Sequence, residues 1–201
     1  MDLARDCGRQ LTVRQGDLLT AYLQLLEKWN RKMNLVGPRD WQSMLTTLVI
    51  DSWHLADFLG DFDFEDDARI VDLGAGAGLP GIPLRVFWDK GEYVLVEPRH
   101  KRALFMQTAI RTMGLAHTRV ARCRVEDLAS GEVPANLVLS RAFCPWRTFL
   151  DIAHPLLHKD GLCLVMANTA EPTRIPSGWR LKGSTSYGVG ADERFFWMFA
   201  R

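Results

Sequence analysis

A chain of 201 residues buries enough surface for one sizeable core, which leaves room for one domain with a modest extension and would cramp a two-domain dehydrogenase. Hydrophobic residues make up 47% and charged residues 24%, ordinary globular proportions that exclude a disordered or membrane-embedded class. The formal charge of +1 excludes wholesale electrostatic capture of nucleic acid while leaving room for a local basic patch. The opening MDLARDCGRQ lacks the apolar core of a secretory signal, and no run reaches the roughly 18 apolar residues of a membrane span, so a cytoplasmic protein without membrane contact is expected. Cys7, Cys123, Cys144 and Cys163 are scattered without zinc spacing, which predicts reduced, mostly buried thiols and no metal.

Thr12-Val13-Arg14-Gln15 has the T-x-x-Q form of a capping box, and Leu18, Leu19, Tyr22, Leu25, Leu26 and Trp29 follow at helical spacing. A helix is predicted from Val13 to Met33. After a break at Gly37-Pro38, a second helical stretch is predicted from Trp41 to Phe58. These form an N-terminal helical extension, residues 1–67, that runs into the acidic loop GDFDFEDDA, Gly60 to Ala68. Beyond it, strand patterns at Arg69 to Leu73, Tyr93 to Val96, Thr118 to Ala121, Leu137 to Ser140 and Leu162 to Ala167 alternate with helical ones at Pro80 to Trp88, Lys101 to Met113 and Trp146 to Leu157. That alternation predicts an α/β fold with a mainly parallel, doubly wound sheet. Two further strand patterns, Trp179 to Leu181 and Phe195 to Phe199, have no long helix between them and predict an antiparallel ending. Dinucleotide folds continue instead with a second parallel half.

The glycine-rich segment VDLGAGAGLPGIP, Val71 to Pro83, reads in two registers. From Gly76 it is G-x-G-x-x-G, the dinucleotide fingerprint. From Asp72 it is D-x-G-x-G-x-G. The first would open a helix near Gly78 and bury Pro83 in its interior, at a cost of about 3 kcal/mol or more. The second starts the helix at Pro80, so that both prolines fall in the first turn, where they are tolerated. Gly74, Gly76 and Gly78 then form a turn open to a ligand, and Glu97, at the carboxyl end of the next strand, is placed to accept both ribose hydroxyls of a nucleoside. S-adenosylmethionine is the cofactor this pattern favours. Asp72 is read as bracing the turn with an indirect effect on the cofactor, the alternative being that it holds the cofactor's amino-acid portion.

DLGAGAGLPGIPL, followed by EPRHKRALFMQ, RVEDL and LSRAF, resembles the bacterial 16S ribosomal RNA guanine-N7 methyltransferase family, also called glucose-inhibited division protein B. WNRKMNL, Trp29 to Leu35, is similar to that family's W-N-x-x-x-N-L, so the resemblance spans about Tyr22 to Ala167. It implies a Rossmann-like class I methyltransferase fold, with residues 68–201 as the S-adenosylmethionine-binding domain. It further implies methyl transfer to guanine N7 in the 530 loop of 16S rRNA, on free RNA or the small ribosomal subunit, by a protein expected to be monomeric. Its cofactor contacts carry over to Gly74, Leu79, Val125, Glu126 and Arg141. No catalytic base is nominated, because guanine N7 already presents a lone pair in the major groove.

On the RNA side, Arg99, His100, Lys101 and Arg102 cluster at a predicted helix start, where cations oppose the helix dipole. Arg99, Lys101 and Arg102 are therefore candidates for phosphate contact, and Arg31 with Asn30 and Asn34 is expected to widen the patch. Phe143 and Trp146 are candidates for stacking on a flipped-out base, although such aromatics more often belong to a core. The chain departs from the family at two places. Thr47-Leu48-Val49-Ile50-Asp51-Ser52 stands where members typically read R-H-I-L-D-S, and Asn168-Thr169 where they typically read K-G. A methyltransferase for another RNA, a protein or a small molecule, or a cofactor-binding ribosome assembly factor without turnover, are the alternative readings.

Overall fold

The computed structural model describes residues 2–128 and 130–201. Its strands are β1 (Arg69–Leu73), β2 (Glu92–Val96), β3 (Thr118–Ala121), β4 (Ala135–Ser140), β5 (Leu157–Ala167), β6 (Arg180–Val189) and β7 (Asp192–Ala200). They form one seven-stranded sheet in the order β3-β2-β1-β4-β5-β7-β6. Strands β1 to β5 run parallel, β7 returns antiparallel beside β5, and β6 pairs antiparallel with β7. The mainly parallel sheet with an antiparallel ending is thus as the sequence predicts.

Buried on both faces, the central strands are continuous apolar runs. Ile70, Tyr93, Leu95, Leu137 and Leu139 pack beneath the helices α2 (Val13–Met33), α4 (Ile50–Leu59) and α6 (His100–Met113). Val71, Leu73, Val94, Val96 and Val138 pack on the other face against Phe149 and Leu150 of α7 (Trp146–Ala153). At the start of α2 the Thr12 hydroxyl accepts from the Gln15 N–H while the Gln15 side chain accepts from the Thr12 N–H, the reciprocal capping box. Asn34 closes the helix in the left-handed conformation, φ 48°. No helix of the described residues is long and apolar enough to cross a membrane.

Several boundaries differ from expectation. A short α1 (Asp2–Asp6) precedes the first predicted element. The second predicted helix is continuous but changes pitch: α3 (Trp41–Met44) widens into a π turn over Leu45–Val49 before α4 resumes. The helix predicted from Pro80 to Trp88 shrinks to α5 (Gly81–Leu84). Arg85 stops it. Its buried guanidinium donates to the carbonyls of Trp88, Asp89, Lys90 and Gly91, winding the chain around itself into the loop before β2. The helix predicted to Leu157 ends at Ala153, and a 3-10 turn holding Pro155 follows. Strand β5 starts at Leu157 rather than Leu162, because its exposed His158-Lys159-Asp160 segment carries no apolar signal.

Candidate functional site

Strand β1 ends at Leu73, and the glycine turn begins at once. Gly74 and Gly78 have φ of +71° and +75°, a region that side-chain-bearing residues rarely adopt. A Cβ on Gly74 would lie 2.5 Å from the Phe143 ring, so a side chain there would have to displace that aromatic. Pro80 occupies the cap of α5 and Pro83 its first turn, where no N–H is demanded. The D-x-G-x-G-x-G register is therefore the one that the backbone adopts.

Asp72 lies under this turn, fully buried. Its Oδ2 accepts from the Tyr93 hydroxyl at 3.1 Å and its carboxyl from the Gly81 N–H, while Oδ1 has no partner among the described residues. Burial pushes its pKa up to about 8, outweighing the two hydrogen bonds that pull it down. Further braces come from the N-terminal helices. The Tyr22 hydroxyl donates to the Ala77 carbonyl at 2.8 Å and the Ser52 hydroxyl to the Pro80 carbonyl at 3.0 Å.

Glu97, 4% exposed, ties β2 to the turn: Oε2 accepts from the Gly76 N–H at 3.1 Å and Oε1 from the Arg99 N–H at 3.0 Å. Each oxygen keeps a lone pair for a hydroxyl donor. Beside it a cleft of about 410 Å³ opens between Gly74, Phe143, Arg99, Val125 and Glu126. The structure thus brings Gly74, Gly76, Glu97, Val125 and Glu126 to one sheet edge. Leu79 sends its side chain into the core, so what it offers a ligand is backbone.

Arg141 faces elsewhere. It lines a second cavity of about 280 Å³ with Asp51, Asn168, Tyr187 and Arg194. Asp51, 1% exposed, is the hub of this group. Its Oδ2 is 2.8 Å from Arg141 Nη2, and its Oδ1 accepts from Arg194 Nη1 and from the Tyr187 hydroxyl. The two guanidiniums also donate to carbonyls of the π turn, Arg194 to Thr47 at 2.8 Å and Arg141 to Leu48 at 3.4 Å. A π turn displaces the local ladder and frees such carbonyls, and it recurs at functional sites. Sequence reasoning missed Asp51, Tyr187 and Arg194 as site residues. The intact D-S of an otherwise altered motif was a signal for Asp51. Nothing local could mark Arg194, 143 residues away.

Among the RNA candidates, Arg99 and Lys101 are exposed at the start of α6, and Arg31 is exposed with Glu27 at 3.7 Å. Arg102 is half-buried and leans over the glycine turn, its Nη1 3.3 Å from where a Gly76 Cβ would lie. Asn30 requires a correction. It is 1% exposed, with its amide donating to the Pro38 carbonyl and accepting from the Val36 N–H, so it braces the loop after α2 and presents nothing to RNA. Asn34 is exposed and serves as the C-cap of the same helix. Trp146 packs among Trp197 and Phe199 as a core aromatic, whereas Phe143 is 38% exposed over the cleft. All four cysteines are free; Cys163 is buried and the other three half-buried.

Comparison with known proteins adds an independent line. Residues 15–175 match the family described as rRNA small subunit methyltransferase G. The chain is 42% identical over 193 residues to the ribosomal RNA small subunit methyltransferase G of Nitratidesulfovibrio vulgaris, covering 96% of this chain and 88% of that one. It is 44% identical over 192 residues to the same-named protein of Oleidesulfovibrio alaskensis, covering 90% and 84%. Among solved structures it is similar in fold to the putative methyltransferase yhhF of Escherichia coli, with TM-score 0.55, 21% identity and coverage of 75% and 85%. It is also similar to a mutant of MtNAS in complex with S-adenosylmethionine, with TM-score 0.59, 13% identity and coverage of 92% and 72%.

Proposed function

The chain belongs to the rRNA small subunit methyltransferase G family, and from that membership we propose that it transfers a methyl group from S-adenosylmethionine to guanine N7 in the 530 loop of 16S rRNA. The observation that carries this reading is the cleft at the β1–β2 edge, where Gly74, held at φ +71°, lies beneath Phe143 and a buried Glu97 keeps lone pairs free. These residues fit a nucleoside. Glu97 accepts the ribose hydroxyls, the Val125–Glu126 turn borders the base, and the Gly74–Gly78 backbone approaches the remainder. When bound, the cofactor supplies an electrophilic methyl on its sulfonium. Guanine N7 attacks with its own lone pair. The work of this chain is therefore to hold donor and acceptor in line rather than to remove a proton.

Calorimetry should show that the protein binds S-adenosylmethionine and not NAD, and labelled methyl should appear on 16S rRNA from cells lacking this activity. In the same titration Glu97→Ala should weaken cofactor binding by roughly 1.5–3 kcal/mol, the range for hydrogen bonds to a charged group. NAD binding without S-adenosylmethionine binding, or label on no RNA, would sink the proposal.

Arg99 and Lys101, exposed beside the cleft, are proposed to contact RNA phosphates, with Arg31 and Asn34 extending the surface. Neutralising Arg99 and Lys101 together should lower the slope of log affinity against log salt by roughly 0.7–0.9 per lost contact. A slope equal to that of the parent would assign both cations to solvent.

A further inference from the structure

We infer that the cavity bounded by Asp51, Arg141, Asn168, Tyr187 and Arg194 is an oxyanion subsite of the methyl-transfer centre, and that Arg194 supplies charge on which it depends. The inference rests on the methyltransferase reading above. The ligand it takes is an anionic oxygen group of the reacting pair, either the methionine carboxylate of the cofactor or a phosphate of the target nucleotide.

Position is the first ground. The cavity lies where β4 and β5 end, at Arg141 and at Ala167-Asn168, while Phe143, two residues beyond Arg141, covers Gly74 in the neighbouring cleft. The short segment between the two spaces contains Ala142, a non-glycine residue held at φ +53°. Backbone held in such a region clusters at ligand clamps and active sites.

Charge is the second. Two guanidiniums face one carboxylate, a local excess of one positive charge. Asp51 is not itself offered to a ligand, since it is 1% exposed and both its oxygens are bonded to Arg141, Arg194 and Tyr187. The guanidiniums are offered: their side chains are 21% and 18% exposed. Each carries five N–H donors in a rigid fork, suited to carboxylate or phosphate. Their recorded partners are Asp51 and one π-turn carbonyl apiece, which leaves further donors for the cavity.

The third ground is convergence. Thr47 and Leu48 of the π turn, Asn168 after β5 and Arg194 of β7, far apart along the chain, all meet here. Thr47 and Leu48 contribute only carbonyls, and Asn168 lines the wall. Arg194 brings a guanidinium to the same spot from β7.

The test uses two variants of the full chain, Arg194→Met and Asn168→Asp, the second placing a negative charge on an exposed wall residue that makes no hub contact. Probes are S-adenosylmethionine, decarboxylated S-adenosylmethionine, and small ribosomal subunits from cells lacking the modification. If the group is the cofactor's carboxylate, both variants weaken S-adenosylmethionine about tenfold, equivalent to about 1.4 kcal/mol, and leave the decarboxylated form unchanged. If it is a phosphate, both cofactors bind as in the parent, KM for subunits rises about tenfold, and its salt dependence flattens. Equal weakening of both cofactor forms, or no change in any probe, overturns the subsite. Should Arg194→Met fail to fold, Asn168→Asp alone decides. A parent protein that binds no S-adenosylmethionine would instead overturn the methyltransferase reading.

Discussion

Asp51→Ala should lower stability by about 3 kcal/mol, the scale on which removing one partner of a buried ion pair leaves the other charge uncompensated. The substitution strips Arg141 and Arg194 of their shared carboxylate and Tyr187 of its acceptor. It also loosens the two guanidiniums that satisfy the Thr47 and Leu48 carbonyls, so the π turn loses its clamps together with the charge. For a chain of this size the loss corresponds to a fall in Tm of about 6–12 °C. Asp51→Asn, which keeps the shape and removes the charge, should fall between the two. Thermal melts within a degree or two of the parent for Asp51→Ala would show that the hub contributes nothing to stability.

The stability of the protein without cofactor should decline from about pH 5 to pH 8, and Asp72→Asn should remove much of that slope. The Asp72 carboxyl titrates near 3.8 when exposed and is pushed up to about 8 in the fold, where it lies under the Gly81 turn with one oxygen unpartnered. Between those values the folded chain holds a proton that the unfolded chain has released. Stability then falls by about 1.4 kcal/mol per pH unit, the contribution being complete below the unfolded value and lost once pH passes the folded one. At pH 7 the accumulated cost is on the order of 4 kcal/mol. Asparagine carries no such proton, so urea denaturation at pH 5, 6.5 and 8 should give a flatter profile for the variant. Other groups titrate in both proteins, and the difference between the profiles isolates Asp72. Parallel profiles would place the carboxyl in its ordinary ionised state.

Local chemistry made a large part of this protein legible from its residues. The capping box at Thr12 and Gln15 set the start of α2, because cap partners lie within one turn of each other. The register of the glycine turn followed from Pro83, whose ring and missing N–H exclude a helix interior whatever surrounds it. The apolar runs placed the central strands β1, β2 and β4, since strands buried on both faces carry little competing polar signal, whereas the exposed first half of β5 gave none.

Tertiary structure decided what long side chains do at a distance. Arg85 ended a predicted helix by gathering carbonyls that lie beyond it. Asn30 stood in a motif that resembles an RNA contact, yet its amide is spent on Val36 and Pro38 once the loop folds back. Arg194 and Tyr187 fall outside both predicted strand patterns of the antiparallel ending, and only the pairing of β7 against β5 carries them to Asp51. Helical and strand periodicity depend on neighbours a few residues apart and are written in order along the chain. An ion-pair hub joins residues 143 positions apart, and no spacing rule links them until the sheet has closed.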